Sequence, residues 1–236
     1  MTPTFKLLSV LLSYPDDALA EAAGELLHAI AQDSLLDRER RSRLAALVDE
    51  IASRDLMDLQ ERYVFLFDRT RSLSLHLFEH IHGESRDRGQ AMVDLRGMYE
   101  AAGLDVVANE LPDYLPLFLE FLATRPIADA RDLLRQTLHI ITAIRERLVK
   151  RGSTYAAVFE ALESLAAARP SPEDLEALRQ APDDDPGDLT ALDRAWEEEP
   201  VTFGPGASSA CPAERLETRL RASIRSASET ASGDAR

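Results

Sequence analysis

The chain has 236 residues, and 42 acidic against 27 basic side chains give it a formal net charge of −15. An acidic surface repels phosphate backbones, so we do not expect a nucleic acid as partner. Cys211 is the single cysteine, which excludes an internal disulfide framework and a Cys-rich zinc or iron–sulfur site within one chain. The N-terminus lacks the pattern of a secretory leader, and no apolar run approaches the ~20 residues that span a bilayer. These features predict a cytoplasmic protein that does not insert into a membrane.

Apolar residues recur with helical spacing through the first 180 residues, and no strand pattern is found. The predicted fold class is therefore all-α, a single helical-bundle domain. In chain order, we predict helices over residues 5–12, over 19–30 behind Asp16 and Asp17, over 44–51, and over 56–66 opening at Asp55. A fifth helix runs from near Asp87 to a stop at Gly103, and a sixth begins at Asp113 with Pro116 in its first turn. The longest helix is predicted over 130–148, ending at Gly152, and the last over 155–165 with a stop at Pro170.

The composition changes after residue 180. Residues 181–200 hold eight acids and one arginine, and a stretch rich in proline, glycine and serine follows. We predict one helical domain over residues 1–180 and a flexible acidic tail over residues 181–236. Trp196 and Phe203 bracket three glutamates, which indicates a docking segment near residues 196–203.

His76, Glu79 and His80 match the H-x-x-E-H pattern of inverted zinc peptidases. On one helix, the two histidines would share a face and hold zinc, with Glu79 as the base for a metal-bound water. A metal-dependent hydrolase is thus the alternative function. We favour a structural role in which the histidines bond acids and backbone, or act as a pH-sensitive contact, because no further ligand helix follows. No phosphate-binding or dinucleotide fingerprint can be drawn, so we expect no metal, no cofactor and no catalysis.

Apolar and carboxylate side chains alternate within residues 63–84 and 113–120. This mixture suits an amphipathic, basic peptide whose apolar residues enter a groove between helices while its cations meet the acids at the rim. Core positions are favoured for Phe118 and Phe121, whereas groove and core remain equally open for Phe78 and Tyr114. The predicted partner-binding residues are Tyr63, Phe67, Asp68, Arg69, His76, Phe78, Glu79, His80, His82, Glu84, Asp113, Tyr114, Leu117 and Glu120.

The same blocks resemble a known family. Residues 63–90 are similar to the signature of the NarJ-type nitrate reductase assembly chaperones, which belong to the TorD-like redox-enzyme maturation proteins. Residues 110–122 are similar to that family's second block and residues 196–203 to its tail, so the resemblance spans residues 3–204. Wider relatives carry Asp-His where this chain has Asp113 and Tyr114, and a role resting on that histidine does not transfer.

The resemblance implies a TorD-like helical chaperone that binds the N-terminal segment of the apo catalytic subunit of respiratory nitrate reductase. It would hold that subunit in the cytoplasm until the molybdenum cofactor and an iron–sulfur cluster are inserted, and delay membrane attachment. Molybdenum cofactor biosynthesis proteins are further implied partners. The residues by themselves lead only to a peptide-binding helical domain.

Overall fold

A computed structural model describes residues 2–82, 86–104, 110–183, 185, 187–188 and 190, without the side chains of residues 82, 86 and 87. Within these ranges the chain is all-α, as predicted, with twelve α-helices and no strand. The helices are α1 (Pro3–Leu11), α2 (Asp17–Glu21), α3 (Ala23–Gln32), α4 (Arg38–Ser53), α5 (Leu56–Phe67), α6 (Glu79–His82), α7 (Arg86–Ala101), α8 (Leu115–Thr124), α9 (Ile127–Gln136), α10 (Leu138–Lys150), α11 (Ala156–Ala166) and α12 (Pro172–Gln180).

Several helices begin behind a side chain that caps their first turn. Asp16 accepts a hydrogen bond from Leu19 N (2.8 Å) at α2, and Asp55 accepts one from Met57 N (2.8 Å) at α5. These acids satisfy backbone N–H groups that have no partner within the helix. Both starts confirm the predictions made from Asp16 and Asp55.

Two predicted helices are each divided in the structure. The prediction of one helix over residues 130–148 is wrong. α9 ends at Gln136, α10 begins at Leu138, and Thr137 between them has φ −96° and ψ 2°. The Thr137 hydroxyl donates to Leu134 O (3.0 Å), a local bond that competes with the regular helical ladder. The helix expected over residues 19–30 likewise breaks, at Ala22, into α2 and α3.

The start of α8 lies two residues later than predicted. The helix begins at Leu115 rather than at Asp113, because the backbone and side chain of Asp113 are bonded to another part of the chain. Pro116 falls in the first turn, as predicted, where its missing N–H leaves no gap in the ladder. Gly103 and Gly152 have φ of +76° and +64°, which confirms both as the glycines that follow helix ends.

The core forms where long helices pack in pairs. α1 runs against α8, while α10 packs against both α11 and α12. Leu8, Leu119, Ile144 and Phe159 have no exposed surface at these contacts. A 3₁₀ turn at Arg71–Leu73 follows α5 and lies against α10, so the chain between α5 and α7 rests on the core.

α12, the last of these twelve helices, was not predicted from the sequence. Among the described helices, none has both the length and the apolar character that crossing a bilayer demands. The domain boundary at residue 180 and the flexible acidic tail stay predictions. Trp196, Phe203 and the rest of residues 191–236 lie outside the described residues.

Candidate functional site

The two blocks singled out in the sequence lie side by side. We call residues 68–82, which lead from α5 into α6, the connecting segment. His76 in this segment forms an isolated antiparallel bridge with Tyr114. Leu77 N donates to Asp113 O (3.0 Å), and Leu115 N donates to Leu75 O (2.8 Å). The backbone itself therefore joins the connecting segment to the start of α8.

Asp113 anchors this junction from the interior. Its side chain has no exposed surface. Oδ2 accepts a hydrogen bond from Phe78 N (3.0 Å), and Oδ1 lies 3.2 Å from His76 Nδ1. A buried carboxylate is unfavourable unless donors surround it, and here two parts of the connecting segment supply them. Asp113 thus shapes the site from within, out of a partner's direct reach.

His76 is half-buried and surrounded by carboxylates. Burial disfavours its charged form, and the charge of Arg88 acts in the same direction. The hydrogen bond to Asp113 and the charges of Asp113 and Glu79 favour the charged form and outweigh both effects. The pKa of His76 is consequently raised above its ordinary value. The ring also packs at 5.4 Å, centroid to centroid, from the ring of Tyr114.

Two tyrosine hydroxyls connect Tyr114 to the residue that follows α1. Tyr63 donates its hydroxyl proton to Leu12 O (2.8 Å), and the Tyr63 and Tyr114 hydroxyl oxygens are 3.0 Å apart. Because the carbonyl can only accept, Tyr114 must donate to Tyr63. Tyr63 is buried, whereas Tyr114 is half-buried and presents the rest of its ring at the surface.

Tyr14 joins this group, although the sequence analysis did not predict it. Its ring packs edge-on against Tyr63 with centroids 5.5 Å apart, and 48% of the residue is exposed. It lies in the connection between α1 and α2, which the bond from Gln60 Nε2 to Pro15 O (2.9 Å) fixes to α5. An aromatic residue beside a proline in a short connection was the available signal.

Two exposed acids flank the tyrosines. Asp68 follows α5, and the partial burial of its carboxylate raises its pKa. The charge of His76 opposes this effect and that of Glu110 reinforces it. Glu110 is not among the predicted partner-binding residues. It is exposed at the start of the block that contains Asp113 and Tyr114, and its charge contributes to raising the pKa of Tyr114. We call Tyr14, Asp68, His76, Glu110 and Tyr114 the aromatic–acidic face.

The other predicted residues are distributed differently. Phe67 and Phe78 are buried in the core, Leu117 is half-buried, and Arg69 is exposed with its guanidinium carbon 5.7 Å from the Phe65 ring centroid. Glu120 is exposed and pairs with Lys6 (2.5 Å). The side chain of His82 and the whole of Glu84 lie outside the described residues.

The zinc-peptidase arrangement is not formed. α6 begins at Glu79, so His76 precedes the helix and the two histidines do not share the helical face that the zinc alternative requires. His80 Nε2 donates to Ser74 O (2.8 Å), and burial lowers the pKa of His80 to about 4, which keeps the ring neutral. Glu79 accepts a bond from Arg88 Nη2 (3.1 Å). In the described part of the chain, no three His, Cys, Asp or Glu side chains are grouped to hold a metal.

Comparison with known proteins agrees with the predicted resemblance. The family described as nitrate reductase delta subunit matches residues 16–161. The chain is 45% identical to the nitrate reductase molybdenum cofactor assembly chaperone NarJ of Escherichia coli K12, over 84% of this chain and 83% of that protein. It is 38% identical to the probable chaperone NarW of the same strain (89% and 88%) and 36% identical to the probable chaperone NarJ of Bacillus subtilis (67% and 85%). These relatives are named as chaperones and not as enzymes. The chain belongs to the nitrate reductase delta subunit family.

Proposed function

We propose that this protein is an assembly chaperone that assists insertion of the molybdenum cofactor into nitrate reductase. The observation that carries the proposal is its 45% identity to a chaperone of that name over 83% of that protein's length. In the finer form of the proposal, it binds the N-terminal segment of the apo catalytic subunit in the cytoplasm. It releases that subunit after cofactor and iron–sulfur insertion, before membrane attachment.

The aromatic–acidic face supports a peptide as the bound group. Three separate parts of the chain bring Tyr14 and Tyr114 to the surface next to Asp68 and Glu110. Aromatic rings offer apolar area to peptide side chains and a face on which a guanidinium can stack. The carboxylates would meet the peptide's lysine or arginine through charge-assisted hydrogen bonds.

The buried members of the predicted set act by shaping this face. Tyr63, Phe67, Phe78 and Asp113 have at most 3% of their surface exposed, so a partner does not reach them in this conformation. Tyr63 holds Tyr114 through its hydroxyl, and Asp113 holds His76. Direct contact is therefore assigned to the exposed and half-buried residues.

Calorimetry of the full chain with a synthetic peptide of the catalytic subunit's N-terminal segment tests the finer form. We expect saturable binding that weakens as salt is added, because the acids of the face are solvent-exposed. Tyr14→Ala and Tyr114→Ala should each weaken binding by about tenfold, the loss of a 1–2 kcal/mol anchoring contact. Met57→Ala is the matched control, since Met57 is 78% exposed at the opposite end of α5.

Absence of saturable heat with the wild-type chain would eliminate peptide binding as the mechanism. The broader chaperone function is tested separately in cells that lack their own chaperone of this family. Expression of this chain should restore molybdenum content and activity of nitrate reductase. Cells that stay inactive while the protein is present in folded form would contradict it. The hydrolase alternative has no supporting observation in the described residues.

A further inference from the structure

A basic cluster lies where α10 and α12 meet the 3₁₀ turn of the connecting segment. α10 and its C-terminal cap supply Arg147, Lys150 and Arg151, and all three approach the carboxylate of Asp183. Lys150 Nζ is 2.9 Å from Oδ2, Arg151 Nη2 is 2.7 Å from Oδ1, and Arg147 Nε is 4.0 Å from Oδ1. The hydroxyl of Ser72 adds a bond of 3.3 Å to Oδ1.

Arg147 carries the structural connection. Its side chain is only 9% exposed. Nη1 donates to Ser72 O (2.7 Å) in the 3₁₀ turn, and Nη2 donates to Leu178 O (2.6 Å) in α12. One guanidinium thus joins α10, α12 and the connecting segment. A charge this buried requires hydrogen bonds and a counter-charge, and Asp183 supplies the carboxylate.

Further hydrogen bonds continue from the 3₁₀ turn to the face. Ser74 N donates to Arg71 O (3.2 Å), and the carbonyl of Ser74 accepts from His80 Nε2 (2.8 Å). The Ser74 hydroxyl accepts from His76 N (3.2 Å), and His76 is itself part of the aromatic–acidic face. These bonds form a contiguous route from the 3₁₀ turn, which contains Ser72, to His76.

We propose that Arg147 and Asp183 are positioning residues for partner binding. Residues 181–183, which we call the strap, follow α12 and bring Asp183 onto Arg147. The strap holds the connecting segment against α10, and its engagement sets the affinity of the face for its partner. The affinity part of this inference rests on the proposed function, whereas the positioning part does not.

The charges around the strap explain why Asp183 has this effect. Without its carboxylate, Arg147 and Arg151 remain as neighbouring cations, and Arg147 is still buried. That arrangement favours movement of Arg147 toward water, which would break its bonds to Ser72 and Leu178. Lys150 contributes little in comparison, because it is 74% exposed and exposed ion pairs are weak.

The test uses Asp183→Asn, Asp183→Glu and Asp185→Asn in the full chain. Asp185 is the matched control, since it is exposed and, among the described residues, its carboxylate accepts a hydrogen bond only from the nearby Gly187 N (2.8 Å). Two quantities are measured: hydrogen exchange of the amides of Ser74, Leu77 and Phe78 without peptide, and the Kd of the peptide.

In Asp183→Asn we expect faster exchange at these three amides and a Kd raised about fivefold, the low end of coupling between distinct sites. Asp183→Glu should recover most of both effects because it restores the charge. Asp185→Asn should behave as wild type in both measurements.

A variant that only lowers thermal stability, with exchange of the three amides or the Kd left at wild-type values, would overturn the proposal. If the wild-type chain binds no peptide, the finer form of the proposed function fails. The exchange measurement then still decides whether the strap positions the connecting segment.

Discussion

Asp113→Asn is the substitution that best probes how the site is built. The carboxylate accepts from Phe78 N at 3.0 Å and lies 3.2 Å from His76 Nδ1, with no exposed surface. Asparagine keeps the shape and one oxygen, which can still accept from Phe78 N. Its amide N–H₂ then faces His76 Nδ1, which must give up its proton to accept from it. Both bonds lose the charge of the carboxylate, and a bond to a charged group is worth ~1.5–3 kcal/mol against ~0.5–1.5 kcal/mol for a neutral one. We expect the free energy of unfolding to fall by about 1–3 kcal/mol.

Chemical denaturation followed by far-UV circular dichroism measures this loss. Asp49→Asn is the control, because Asp49 is exposed on α4, and its change should stay within ~0.5 kcal/mol. If Asp113→Asn loses less than ~1 kcal/mol, the carboxylate is not what joins the connecting segment to α8, and the account of the junction is wrong.

Three further predictions concern individual contacts. His80 has a folded-state pKa of about 4 against an unfolded value near 6.5, so its contribution is present above pH ~6.5 and is lost as pH falls toward 4. Wild type should therefore lose about 3 kcal/mol more than His80→Gln between pH 7 and 4 in denaturant titrations. Tyr63→Phe removes the donor to Leu12 O and the acceptor for Tyr114, and should lower the free energy of unfolding by about 1 kcal/mol in the same assay, while an unchanged value would contradict the hydroxyl chain. Ser171→Ala removes the cap of α12 and should cost about 1 kcal/mol, whereas Ser171→Asp should restore it.

The helices and their starts were readable from local signals. Asp16 and Asp55 precede apolar stripes and cap the helices that follow, as capping acids do. Gly103 and Gly152 occupy left-handed conformations where a helix has just ended. α12 carries a comparable signal, Ser171 before a proline and two acids, but its apolar stripe is too short to predict a helix by itself.

The remaining features depend on contacts between distant residues. A threonine within a long apolar stripe does not by itself predict the end of a helix, because its hydroxyl can form several different bonds with the nearby backbone. In the folded chain, the hydroxyl of Thr137 bonds Leu134 O where α9 ends. Arg147 can be buried because it bonds the carbonyls of Ser72 and Leu178, which are 75 and 31 residues away in the chain. The spacing of apolar residues does not predict such distant contacts. The position of Tyr14 likewise depends on distant contacts, namely the ring of Tyr63 and the bond from Gln60 to Pro15 O.

The antiparallel bridge between His76 and Tyr114 has a consequence for the order in which the molecule matures. His76 and Asp113, which face each other at this junction, are 37 residues apart in the chain, and α7 lies between them. Closing so long a loop incurs an entropic penalty before any bond across it forms. During synthesis, the two halves cannot meet until the ribosome has released the stretch through Leu115. A truncated product ending before that point would lack both α8, against which α1 packs, and the aromatic–acidic face.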